Sequence, residues 1–97
     1  MAIVLVVDDE AAERDVVERA VRAHGHQPVA VGNARAALQV IARKHIDLVV
    51  TDYRMPEMSG LELIQILDHD GRDIPIVVMT GYGSVETAVA AIRAGAP

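Results

Sequence analysis

The chain opens with an apolar run, Ala2 to Val7, that stops abruptly at Asp8-Asp9-Glu10. A short β-branched run bounded by polar residues reads as a buried strand. Glu10 to Ala23 then reads as a helix, with Gly25 just past its C-terminus, where glycine most often closes a helix. Gln27 to Val31 reads as a second strand. Asn33 is placed to cap a helix from Ala34 to about Lys44, with Leu38, Ile41 and Ala42 facing inward. Ile46 to Asp52 repeats the opening pattern, an apolar strand ending on a carboxylate. After the loop Tyr53–Ser59, Ser59 and Glu62 have the spacing of a capping box for a helix reaching about Asp70 and closing near Gly71. Ile74 to Thr80 reads as a fourth strand, and Ser84 caps a last helix with Val85, Val89 and Ile92 on one face.

Strand and helix thus alternate four times with short connections. That order predicts an α/β fold: a parallel sheet with helices on both faces, joined by right-handed crossovers. Ninety-seven residues make one domain. Hydrophobic residues are 52% of the chain but aromatics only 2%, with no Phe and no Trp, so the core is built from Val, Ile, Leu, Met and Ala. Such a composition suits a β-branched parallel sheet under Ala-rich helices.

Charge and chemistry narrow the function. A net charge of −5 argues against the basic surface of a non-specific nucleic-acid binder. The absence of cysteine excludes disulfide and thiolate chemistry. The opening run carries no positively charged flank and is too short for a signal peptide or a membrane span, so a cytoplasmic protein is expected.

Three strands end in polar groups: Asp8 and Asp9 after the first, Asp52 at the third, Thr80 at the fourth. In a doubly wound parallel sheet the carboxyl ends of the strands share one edge, and ligands bind there where the strand order reverses. Asp at a strand end is often a simple turn or capping residue. The conjunction of all four positions is harder to read that way. Crowded carboxylates gain proton affinity unless a cation neutralises them. A hard divalent ion, best Mg²⁺, answers that crowding. A carboxylate beside such an ion can act as nucleophile toward a phosphoryl group.

The stretches VLVVDDE (4–10), DLVVTDYRMPEMSGLELI (47–64) and IPIVVMTGYGSVETAVAAIRAGA (74–96) resemble the receiver domains of bacterial response regulators, above all those of enhancer-binding transcription activators. The resemblance covers the whole chain. It implies a flavodoxin-like, doubly wound parallel sheet, here (βα)4 of an expected (βα)5 with strand order 2-1-3-4. It implies Asp52 as phosphoacceptor, and Asp8 and Asp9 as the acidic pair for Mg²⁺, Asp9 more directly and Asp8 partly through water. The backbone carbonyl of Arg54 is the remaining protein ligand in this reading. Thr80 becomes the switch hydroxyl and Gly81 the small residue that leaves room for the phosphoryl group. Arg54 and Tyr82 line the mouth of the site, while Pro56 and Gly60 shape the loop after Asp52. Ser59 stands where the family often carries Asp, and both residues cap helices.

The partner implied is a sensor histidine kinase, with an output domain attached or separate. No activity is expected beyond the chain's own phosphorylation and dephosphorylation, and no direct contact with nucleic acid or membrane. The family's fifth strand and helix, with their Lys and aromatic switch residue, would follow Pro97, so a truncated receiver is expected. Lys44, the single lysine, precedes the third strand and lies at the far end of the sheet from Asp52, about 20 Å away at ~3.3 Å per residue.

On the first helix Ala12, Val16, Val17, Ala20, Val21 and Ala23 span an arc of about 180°, wider than one sheet contact needs. Together with an unpaired fourth strand and the last helix, this predicts self-association. The four histidines, at 24, 26, 45 and 69, read as surface residues, Met55 and Met58 as packing, and Arg14, Asp15, Glu18, Arg19 and Arg22 as a solvated helix face. Two rival functions remain: a flavin or nucleotide binder, opposed by acids where a phosphate loop belongs, and a structural module that dimerises without being phosphorylated. A hydrolase is weaker, since no second acid follows Asp52 closely.

Overall fold

Four short β-branched runs form one parallel sheet in a computed structural model that describes residues 1–52, 60–69 and 74–79. The elements are β1 (Ile3–Val7), α1 (Ala11–Ala23), β2 (Gln27–Val31), α2 (Ala34–Arg43), β3 (Leu48–Asp52), α3 (Gly60–His69) and β4 (Ile76–Met79). The strand order is β2-β1-β3-β4, as expected. Ser59, the last helix and its cap Ser84 lie outside the described residues.

The period-2 alternation of a strand divides the sheet between two cores. Val4 and Val6 of β1 with Leu48 and Val50 of β3 pack under Val17 and Val21 of α1. Leu5, Val7 and Val49 face the other way, toward Ala34, Ala37 and Ile41 of α2 and Leu63 and Leu67 of α3. β1 is central and buried on both faces, so its sequence reads as an unbroken apolar run rather than an alternation.

Helix ends follow local chemistry. Asn33 caps α2, its Oδ1 accepting the Ala36 N–H at 2.8 Å. Gly25 takes φ +80° after α1, a backbone conformation that side chains disfavour. The N-cap of α1 is Glu10, which makes no side-chain cap bond. Asp8 serves that end instead, its Oδ1 accepting the Glu10 N–H at 2.9 Å.

Several expectations need correction. Ala42 is exposed, whereas Ala34 and Ala37 are buried with Ile41 and Leu38 packs partly against them. One residue past Ile41 turns the side chain 100° off the buried stripe. Arg14 is more than part of a solvated face: its Nη1 donates to the Asp8 backbone carbonyl at 2.7 Å. The rest of that face is laced by the pairs Asp15–Arg19 at 3.1 Å and Glu18–Arg22 at 3.6 Å. His26 is structural, because its Nδ1 accepts the Ala2 N–H at 2.9 Å. β3 starts at Leu48 rather than Ile46. Asp47 ahead of it turns its carboxylate on the start of β1, Oδ2 accepting the Ile3 N–H at 2.8 Å, while its own N–H bonds the Ile3 carbonyl.

The wide apolar arc of α1 is visible in its exposure. Val17 and Val21 are buried, yet Val16 is 49% exposed and Ala12 and Ala23 are exposed too. Among the described residues no helix is long and apolar enough to cross a membrane.

Two stability predictions follow from these contacts. Asn33→Ala leaves the Ala36 N–H without its cap and should cost about 1 kcal/mol in urea unfolding. Asp47→Asn should lower the Tm and flatten the acid limb of the stability profile. The Ile3 N–H, then the bond from His45, hold the Asp47 carboxyl below the ordinary aspartate range. A depressed folded-state pKa gives stability that is present above the unfolded value and lost as pH falls through the folded one. The difference between wild type and variant should therefore shrink below about pH 4, read by thermal melts across that range.

Candidate functional site

Strand register, rather than any loop, brings the carboxylates together. β1 and β3 pair in parallel with Val7 opposite Thr51, so the next residue of each, Asp8 and Asp52, fall side by side. The Asp8 N–H continues the ladder by bonding the Val31 carbonyl of β2 at 3.1 Å. Leu48, Val50 and Asp52 share one face of β3, the face on which α1 packs. The chain leaves β1 for β2 on one side and reaches β3 on the other. Asp8 and Asp52 therefore flank the point where strand order reverses, the usual ligand crevice of this architecture.

The first turn of α1 adds a third acid. Carboxylate oxygens of Asp8, Glu13 and Asp52 lie within 4.8 Å of one another. Asp8 is fully buried, Glu13 and Asp52 partly so. One oxygen of Asp8 is committed to the Glu10 N–H, while the other, Oδ2, is buried with no hydrogen-bond partner. Burial raises the Asp8 pKa above the usual carboxylate range; the Glu10 hydrogen bond opposes this, and the charges of Asp52, Asp9 and Glu10 add to it. Glu13 is raised as well, by burial first and then by the charges of Asp8, Asp52 and Glu10.

A buried, half-satisfied carboxylate costs stability unless something neutralises it. Arg14 is near in sequence but spends its Nη1 on the Asp8 backbone carbonyl. A hard cation that takes oxygen ligands matches both the donor set and the orphaned oxygen. The residues present thus fit a divalent metal ion.

Of the residues singled out in the sequence, Asp8 and Asp52 are brought together. Asp9 is exposed and stands outside the cluster formed by Asp8, Glu13 and Asp52. Gly60 opens α3. Arg54, Pro56, Thr80, Gly81 and Tyr82 lie outside the described residues. Glu13 was missed. Its signal was available: the face shared by Asp8 and Asp52 is the one covered by α1, whose first turn carries it.

Comparison with known proteins agrees with this geometry. Residues 4–97 match the response regulator receiver domain family. The response regulator protein FleR of Pseudomonas aeruginosa is 41% identical over 93 residues, 96% of this chain. The chain spans about a fifth (20%) of that relative's length. A response regulator receiver protein from Pseudomonas putida superposes with a TM-score of 0.78 at 33% identity, covering 97% of this chain and 79% of that one. TrrA from Thermotoga maritima, crystallised in complex with Mg(2+)-BeF, superposes with a TM-score of 0.79 at 28% identity over 95% of this chain and 80% of its own. With the 2-1-3-4 sheet and an acidic crevice between β1 and β3, the match places this chain in the response regulator receiver domain family.

Proposed function

We propose that the chain is a phosphoacceptor module in which Asp52 receives a phosphoryl group from a sensor histidine kinase, in a reaction that needs Mg²⁺. The observation that carries this reading is the partnerless Oδ2 of buried Asp8, whose carboxylate clusters with those of Asp52 and Glu13. A structural module would replace such a group with an apolar or hydrogen-bonded one, since burying it unpaired is costly.

Asp8, Asp9, Asp52 and the backbone carbonyl of Arg54 hold the ion in this reading. When bound, Mg²⁺ offsets the negative charge of the carboxylates and of the incoming phosphoryl oxygens. The rest is done by the chain. β3 fixes Asp52 at the strand end, with Thr51 Oγ1 donating to the Asp52 backbone carbonyl at 3.2 Å. One Asp52 carboxylate oxygen attacks phosphorus. The bond from phosphorus to the donor breaks, the donor departs with its electron pair, and an acyl phosphate remains.

Thr80 would then bond a phosphoryl oxygen, with Gly81 leaving space and Tyr82 and Arg54 at the mouth. The added charge would reorganise the surface around the fourth strand and the helix after it. An output region, in the same chain or another, would read that surface. The chain catalyses no other reaction in this account, and it works in the cytoplasm, without direct contact with nucleic acid or membrane. Self-association has its own support in the exposure of Val16 beside buried Val17 on α1. It does not account for the acidic cluster, and so stands as a second, compatible reading.

The test is intact mass after incubation with acetyl phosphate and Mg²⁺, beside Asp52→Asn. One phosphoryl adduct on wild type, absent in the variant and absent without metal, is the expected result. No adduct under any of these conditions would overturn the reading. Mg²⁺ should also raise the Tm of the wild-type chain, by about 1.4 kcal/mol of stability at tenfold excess over its Kd, and Asp8→Asn should lose that gain.

A further inference from the structure

We infer that Glu13 is a further carboxylate of the cation site, adding its charge to those of Asp8, Asp9 and Asp52 and so strengthening the hold on the ion. The inference rests on the proposed Mg²⁺ reading and extends it to a residue outside the acidic pair and the acceptor.

Three independent features of the chain converge on Glu13. The first is topology. Asp52 lies on the sheet face that α1 covers, and α1 begins three residues after Asp8. A side chain in the first turn of that helix is therefore carried back over the carboxyl ends of β1 and β3. The second is proximity, since a Glu13 oxygen lies within 4.8 Å of oxygens of both Asp8 and Asp52. The third is the state of the group it faces: Asp8 Oδ2 is fully buried and has no hydrogen-bond partner. Three acids with one orphaned oxygen among them describe a place that a cation completes.

A purely capping role explains Glu13 poorly. An acid in the first turn interacts favourably with the helix N-terminus from a solvated position. Glu13 is instead partly buried and crowded by like charge. Arg14, next to it in sequence, directs its Nη1 to the Asp8 backbone carbonyl. Repulsion without the ion and attraction with it are two signs of one arrangement.

The opposite signs give the test. Mg²⁺ titrations by isothermal calorimetry, and thermal melts with and without Mg²⁺, are run on the full chain, on Glu13→Gln, Glu13→Asp and Asp8→Asn. Glu13→Gln keeps the shape and removes the charge. It should weaken Mg²⁺ affinity by roughly tenfold, in the range seen when groups supporting a metal site are removed. Its ion-free Tm should be equal to wild type or higher, because a repulsion has been relieved, and its Mg²⁺-induced gain in Tm smaller. Glu13→Asp should recover part of the affinity. A Glu13→Gln chain that binds Mg²⁺ as wild type does, while Asp8→Asn binds poorly, overturns the role of Glu13 and leaves the proposed function standing. A lower ion-free Tm with unchanged affinity also overturns it, in favour of a structural role. Wild type that fails to bind Mg²⁺ overturns both.

Discussion

The constraint on which the rest depends is the register of two parallel strands. With Val7 opposite Thr51, the chain has no choice but to set Asp8 beside Asp52 at the end of the sheet. The buried valines and leucines on both faces lock that register, because a slip of one residue would turn each of them to the wrong side. Hydrophobic burial thus holds two like charges in proximity. The cost is local and visible in the raised Asp8 carboxyl and its unpartnered oxygen. Stability and function pull in opposite directions here, as they commonly do where a site waits for a ligand.

α1 ties the two together. Its inner face, Val17 and Val21, packs on the valines and leucines of β1 and β3, and its first turn reaches the site. Arg14 grips the Asp8 carbonyl, Glu10 donates its N–H to the Asp8 side chain, and Glu13 closes the acidic cluster. One helix therefore does separate jobs along its length, electrostatics at its start and core packing beyond it. A change in how the cluster is charged bears directly on the start of this helix.

Much of the fold was legible in the sequence. Each strand announces itself as a β-branched run, and Asn33 and Gly25 mark helix ends by chemistry that acts locally. The inward face of α2 was read a residue too far, at Ala42, because alanine is apolar enough to pass as core and small enough to sit in water. Asp8 and Asp52 were legible because both stand at strand ends, where topology alone predicts convergence. Glu13 was not, since its place depends on which sheet face its helix covers, and that follows only from the parity of residues in the distant strand β3. Arg14 and Asp47 were likewise hidden, because each binds a backbone group that no side-chain pattern reveals.

In the proposed reading the crowded carboxylates at the β1–β3 end form a single cation site. Backbone amide shifts of ¹⁵N-labelled protein during a Mg²⁺ titration test it most directly. The expected result is saturable, concerted shifts at Asp8, Glu10, Glu13 and Asp52, all fitted by one Kd, with the amides of Gln27 and Ala36 at rest. Shifts that never saturate, or that scatter over the acidic surface without favouring Asp8 and Asp52, would contradict it.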